Sequence, residues 1–141
     1  MYKHILVAVD LSEEGVTLLR KGAKIAEKYG AKLSLIHVDV NFSDLYTGLI
    51  DINMSEIQDS VAGETQKALE ELAKKVDYPV SEHLNGSGDF SQVLEDAIEN
   101  YQIDLLVTGH HQDFWSKFIS STRQVMNNIS VDMLIVPLSN N

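Results

Sequence analysis

The chain has 141 residues, of which 44% are hydrophobic and 23% are charged, and it contains no cysteine. This length fits one domain, residues 1–141, and the absence of cysteine excludes disulfides, thiol chemistry and thiolate metal sites. The formal net charge of −10 argues against nucleic acid as a partner, because contacts to phosphates need a basic surface. No apolar run approaches the ~20 residues of a membrane span, and no signal-peptide pattern is present, so we expect a cytoplasmic protein without membrane contact.

The first half of the chain alternates short apolar runs with segments of helical periodicity, which predicts strand, helix, strand and helix. These elements are strands at 4–10 and 32–40 and helices at 13–29 and 55–76. Ser12, which precedes two glutamates, is a candidate N-cap of the first helix, and Gly30 is a candidate C′ residue at its end. The segment 41–54 is apolar and long for an α/β connection, so it is either a packed loop without a further role or a functional or interface segment.

The second half predicts three more strands, at 80–84, 105–107 and 133–136, and two more helices, at 90–98 and 114–128. Between the third strand and the following helix lies a glycine-rich turn, Asn85–Asp89, whose Asp89 is a candidate N-cap. The fourth strand ends at Thr108-Gly109, and Pro137 closes the fifth. The predicted core includes Val7, Leu35, Val107 and Ile135.

This order of elements predicts an α/β fold in which a doubly wound five-stranded parallel sheet, with strand order 3-2-1-4-5, carries helices on both faces. In such sheets, ligands bind beyond the carboxyl ends of the strands, where the strand order reverses. The first and fourth strands meet there, so Asp10, Ser12, Gly86 and Gly109 are expected around one crevice. The alternative is that Asp10 and Asp89 only cap helices and the glycines only form turns.

The sequence gives little support to a metal site or to a catalytic site. His110-His111 has neither a cysteine nor a matched histidine spacing beside it, so we expect no metal site. His37, next to Asp39, is interpreted as part of a satisfied polar pair near a strand end. Neither a Gly-x-Ser-x-Gly elbow, a Walker loop nor a GxGxxG fingerprint is present, so no catalytic residue is assigned and the chain is more consistent with a non-enzyme.

Four stretches resemble the universal stress protein family, and specifically its A-type branch. They are Ile5–Asp10 with Ser12, the turn Gly86–Asp89, the stretch Leu105–His111 and the closing segment Val131–Pro137. The segments Val38–Asp51 and His110–Lys117 look like the A-type branch itself, and the similarity extends over the whole chain. The resemblance implies a five-stranded α/β domain, a cytoplasmic homodimer built largely on the last strand, and a role in surviving stress or growth arrest.

Many members of that family bind ATP through Gly-x-x-Gly, nine further residues, and then Gly-Ser or Gly-Thr after the fourth strand. Here Gly109 is present, but Gln112 occupies the second glycine position. The final pair falls on Thr122-Arg123 when counted without gaps, or on Ile119-Ser120 when aligned back from Pro137, and neither restores the glycine. Side chains at such positions obstruct the approach of phosphate oxygens to backbone N–H groups. No Lys or Arg lies between Lys75 and Lys117, so a polyphosphate would also meet an acidic segment.

Two hypotheses of different classes follow. The first is a stress-response protein without a nucleotide cofactor, which acts as a homodimeric interaction or signalling module with an unknown protein partner. The second is an ATP-binding protein with Mg²⁺ and slow ATPase activity, whose cofactor-binding residues would be Asp10, Ser12, Gly86, Gly109 and Ser120. The strand from Met133 to Leu138 would present an apolar edge in a lone chain, and we expect it to pair with its symmetry mate.

Overall fold

A computed structural model describes residues 2–9, 14–39, 54–87, 90–110 and 129–137. In chain order the elements are β1 (His4–Ala8), α1 (Glu14–Tyr29), β2 (Lys32–Asp39), α2 (Met54–Ala73), β3 (Glu82–Ser87), α3 (Phe90–Tyr101), β4 (Leu105–His110) and β5 (Asp132–Pro137). The five strands form one sheet in the order β3-β2-β1-β4-β5, and every neighbouring pair is parallel. The predicted fold class, strand order and single-domain architecture are therefore confirmed.

The central strand β1 is covered on both faces, and all five of its residues are buried. Alternate side chains point to opposite faces of a strand, so Ile5 and Val7 pack under one helical layer and Leu6 and Ala8 under the other. One layer consists of α1 and α2 and the other contains α3. A strand buried on both faces needs a continuous apolar run, which is what residues 5–9 provide.

Helix α1 lies unusually close to β1 because residue 22 is glycine. A Cβ atom at Gly22 would lie 2.6 Å from Cγ2 of the buried Val7, closer than real contacts allow. The helix ends as predicted, with Gly30 at a φ of 64°, which a residue without a Cβ adopts at little cost. The amide of Ala31 then donates to the carbonyl of Ala26 at 2.8 Å, which satisfies one of the free carbonyls at the helix end.

Two strands extend further toward their carboxyl ends than predicted. Asn85, Gly86 and Ser87, predicted as part of a turn, continue β3, because β2 extends to Asp39 and its register pairs Val38 with Gly86 and Asp39 with Ser87. The strand β4 likewise continues past Thr108-Gly109 to His110, because β5 offers pairing partners as far as Pro137. Tertiary pairing thus extends strands through residues of low intrinsic strand preference.

The predicted core residues Val7, Leu35 and Val107 are each fully buried. The prediction for Ile135 was wrong, because 38% of this residue is exposed. The strand β5 is the last strand of the sheet and has β4 on only one side. An apolar side chain on an edge strand loses the neighbours that bury a central one, whatever the hydrophobicity of the run.

A cluster of long-range hydrogen bonds ties the strands together at the amino end of the sheet. The carboxylate of Asp104, just before β4, accepts from the backbone amides of Lys3 at 2.8 Å and His4 at 3.1 Å, and its own amide donates to the carbonyl of His4 at 3.0 Å. The hydroxyl of Tyr2 donates to Asp132 at 2.8 Å, and this hydrogen bond is the main reason that the pKa of Tyr2 is raised.

His4 is also part of this network through its buried side chain. Its Nδ1 lies 2.9 Å from the carbonyl oxygen of Tyr101, and its Nε2 lies 2.7 Å from Oγ of Ser34. A carbonyl oxygen can only accept, so Nδ1 carries the hydrogen, and in the neutral ring Nε2 accepts from the Ser34 hydroxyl. Ser34 is completely buried, so the histidine satisfies a hydroxyl that would otherwise lack a partner.

The predicted fourth helix, 114–128, and the segment 41–53 lie outside the described residues. In the part of the chain that the structure does describe, no helix has the length and apolarity required to cross a membrane.

Candidate functional site

The strand order creates one topological switch point, at the centre of the sheet. From β1 the chain crosses to β2 on one side, whereas β4 pairs with β1 on the other side. The register aligns Ala8 with Thr108, so Val9 and Gly109 follow at the same level at the carboxyl ends of the two strands. Helices turn away in opposite directions at such a point, and the resulting crevice is where ligands bind in this class of sheet.

Gly109 lies at this crevice as predicted, and it is a buried residue of β4 whose register partner is Val136 of β5. The adjacent end of β1 is fixed by β2. The amide of Val9 donates to the carbonyl of Ile36 at 2.9 Å, and the carbonyl of Val9 accepts a hydrogen bond of 3.0 Å from Nδ1 of His37. The floor of the crevice is therefore built from hydrogen-bonded backbone.

His37 lies near the end of β2 and forms a hydrogen bond there, but the contact that the structure describes is not the predicted pairing with Asp39. Its partner is the backbone of β1, from which it is separated by 28 residues. No sequence pattern predicts this contact, because only the pairing of β1 with β2 brings His37 and Val9 together. His37 positions the residue directly before Asp10, which is the first of the predicted site residues.

Gly86 is also at the carboxyl end of its strand, but β2 and β1 separate β3 from β4. Three strand spacings place its backbone about 14 Å from that of β4, so only an extended ligand of roughly nucleotide size reaches both. A Cβ at Gly86 would lie 2.6 Å from Cγ1 of Val93 in α3. Close packing of α3 on β3 thus accounts for a glycine at this position without a ligand.

The other predicted site residues lie outside the described residues. These are Asp10, Ser12 and Ser120, together with Gly88, Asp89, His111 and Gln112. Within the described part of the chain, no cluster of three or more His, Asp or Glu residues has a geometry that could hold a metal ion. The described geometry consequently defines the position of the switch point and places Gly109 there, whereas Gly86 lies at the carboxyl end of β3, which β2 and β1 separate from β4.

A doubly wound parallel sheet whose strand order reverses between β1 and β4 defines the class of this protein: an α/β domain of the type in which ligands bind at the carboxyl ends of the strands. A family model described as "Universal stress protein family" matches residues 1–137. The chain belongs to the universal stress protein family.

Individual relatives indicate the branch of the family to which this chain is similar. The chain is 80% identical over 138 residues to a universal stress protein A homolog of Haemophilus ducreyi, covering 98% of both chains. It is 60% identical over 137 residues to universal stress protein A of Escherichia coli strain K12, covering 97% of this chain and 95% of the relative. The resemblance to the A-type branch is thus confirmed.

Among solved structures, the universal stress protein from Archaeoglobus fulgidus in complex with dAMP superimposes with a TM-score of 0.62. The match has 22% sequence identity and covers 96% of this chain and 98% of the other. At this identity the similarity establishes the shared fold.

Proposed function

We propose that this stress-response protein of the universal stress protein A type acts in the cytoplasm as a homodimeric interaction or signalling module and binds no ATP. The single observation that carries the dimer is the apolar edge of the sheet at β5. Here Ile135 is 38% exposed, and Met133 and Leu134 are only partly buried. The proposed role as an interaction module follows from the dimer, because a dimer presents two copies of each crevice and helix surface to a protein partner.

The backbone of β5, as well as its side chains, favours a dimer. An edge strand exposes unpaired N–H and C=O groups that can pair with another chain unless something covers them. Pairing β5 with the same strand of a second copy around a two-fold axis covers both edges at once. It also removes the exposed part of Ile135 from water, which stabilises the dimer through apolar burial.

The absence of ATP binding is supported by the sequence after β4. Gln112 stands where ATP-binding members of the family have a glycine, and neither alignment of the later pair restores Gly-Ser or Gly-Thr. A phosphate needs several bare backbone N–H groups at close range, and each added side chain obstructs this approach. The eight acidic residues between Lys75 and Lys117 also disfavour a polyphosphate.

A second candidate function is ATP binding with Mg²⁺ and slow hydrolysis at the switch-point crevice. It is favoured by the position of Gly109 beside the end of β1, and by the relative from Archaeoglobus fulgidus that was solved with dAMP. Its residues would be Asp10, Ser12, Gly86, Gly109 and Ser120. Nucleotide released by acid from freshly purified protein would favour this candidate, and its absence favours the first.

The dimer is tested by light scattering on the full chain at micromolar concentration. We expect a dimer for the natural sequence and a shift toward monomer for Ile135→Lys, because a lysine on an edge strand opposes pairing. Tyr101→Lys is the matched control, since Tyr101 is 37% exposed but lies at the end of α3. A monomeric natural protein, or equal dissociation by both variants, would contradict the proposed dimer.

A further inference from the structure

A cleft of about 590 Å³ lies on the face of the sheet that α1 and α2 cover. One wall is the second half of α1, and the other is the segment 75–78 that follows α2. These walls lie toward the amino end of the sheet, since α1 runs back from the end of β1 to the start of β2. The cleft is therefore separate from the switch-point crevice. Its lining consists of Arg20, Ala23, Lys24, Glu27, Lys75, Val76, Asp77 and Tyr78.

The charge of the cleft is unusual for this protein. Three of the 11 basic residues of a chain with net charge −10 line it, together with only two carboxylates, Glu27 and Asp77. Within the described ranges the single ion pair joins Lys74 to Glu71 at 3.7 Å, so Arg20, Lys24 and Lys75 form none. Three exposed cations against two carboxylates give this lining a small net positive charge on a chain whose net charge is −10, which creates a local positive potential.

The floor of the cleft is apolar and held in place. Ala23 is buried, and Val76 and Tyr78 are partly buried against the core under α1 and α2. The hydroxyl of Tyr78 donates to the carbonyl of Ala31, with a longer contact of 3.4 Å to that of Ala26. The aromatic ring is thus fixed between the end of α1 and the turn after α2, and a site that is already formed binds with a smaller loss of conformational entropy.

We propose that this cleft binds a small phosphomonoester that carries a flat apolar group. Arg20 presents a planar fork that matches two phosphate oxygens, and Lys24 and Lys75 add point charges on either side. The apolar group lies against Val76 and the ring of Tyr78. The volume of the cleft suits a small molecule, because ligand pockets typically enclose ~300–1,000 Å³, whereas a folded partner would need a larger surface.

The test is a titration of the full-length protein with phenyl phosphate at low ionic strength, followed by amide-resolved NMR. We expect shifts in residues 20–27 and 75–78, and weaker binding of inorganic phosphate, which has no ring to place against Tyr78. The triple variant Arg20→Gln/Lys24→Gln/Lys75→Gln should lose at least about tenfold in affinity, since each exposed charge pair contributes roughly two- to fivefold.

The matched control removes the same number of charges from outside the cleft, as Lys21→Gln/Lys28→Gln/Lys74→Gln. We expect this variant to retain the affinity of the natural protein to within about twofold. If both triple variants bound phenyl phosphate equally weakly, the effect would be one of net charge on the whole protein, and the proposed site would be wrong. An absence of shifts at ~20 mM phenyl phosphate, or shifts confined to the ends of β1 and β4, would overturn it as well.

Discussion

The two ends of the sheet differ in how they are held, and two histidines show the difference. At the amino end, His4 is buried and uses both ring nitrogens, one on Tyr101 and one on Ser34. At the carboxyl end, His37 is only partly buried, and its Nδ1 contacts the carbonyl of Val9. The first histidine joins three elements of the fold, whereas the second orients the end of one strand.

The two ends of the sheet therefore contribute differently to stability. The hydrogen bonds of Asp104, His4 and Tyr2 all lie where the strands begin, so the amino end fixes the positions of β1, β4 and β5. The carboxyl end carries the crevice, where side chains can vary without loss of the fold. We therefore expect substitutions in the hydrogen-bond network of Tyr2, His4 and Asp104 to lower stability, and those at the carboxyl ends of the strands to alter the switch-point crevice with a smaller loss of stability.

The largest effect is expected at His4. His4→Leu leaves the buried Ser34 hydroxyl and the Tyr101 carbonyl without their partner, which should lower the free energy of unfolding by about 2–4 kcal/mol. Urea denaturation measures this loss. Ser34→Ala should cost less, and the double variant should cost less than the sum of the two, because both single changes break the same hydrogen bond. Strict additivity would show that the pair is not coupled.

A somewhat smaller loss is expected at Asp104. Asp104→Ala removes the acceptor for two backbone amides that hold the start of β1 beside β4, which should cost about 1.5–3 kcal/mol. The exposed Glu99 of α3 provides the control, since Glu99→Ala should change stability by less than about 0.5 kcal/mol. Equal losses in both variants, measured by thermal unfolding, would mean that the Asp104 bonds contribute nothing beyond general surface charge.

The smallest of these effects is expected at the other end of the sheet. His37→Phe keeps the bulk of the ring but removes the hydrogen bond to Val9, at a cost of about 0.5–1.5 kcal/mol. Urea denaturation beside His4→Leu ranks the two ends directly. A cost at His37 as large as that at His4 would contradict the proposed difference in stability between the network at the amino end and the crevice end.

The architecture could be predicted because it depends on short-range patterns. Apolar runs such as residues 5–9 and 105–107 specify buried strands, and Gly30 marks the end of α1. Strand ends were less predictable, since Gly86 and Ser87 join β3 only because β2 offers pairing partners. Ile135 was misplaced in the core although the predicted strand order put its strand at the edge, because its hydrophobicity was taken as a sign of burial and an edge strand has a neighbour on only one side.

The site was predictable only in part, for a related reason. The position of Gly109 at the switch point follows from strand order. Two other features join residues that are far apart in sequence. They are the contact of His37 with Val9 and the cleft lined by Arg20, Lys24 and Lys75. In the sequence, the lysines of α1 are explained by the favourable interaction of positive charges with the C-terminus of a helix. Only the packing of the turn after α2 against α1 adds Lys75 to the same cleft.

The absence of ATP binding is tested most directly by calorimetric titration with ATP and Mg²⁺, on protein first checked for co-purified nucleotide. We expect no heat of binding at millimolar ATP and no bound nucleotide, because Gln112 stands at the second glycine position and neither alignment restores the Gly-Ser/Thr pair, and side chains at such positions obstruct phosphate binding by the backbone. Binding in the micromolar range that is lost in both Asp10→Ala and Gly109→Asp would contradict this, and would make the nucleotide-binding candidate the function of the crevice.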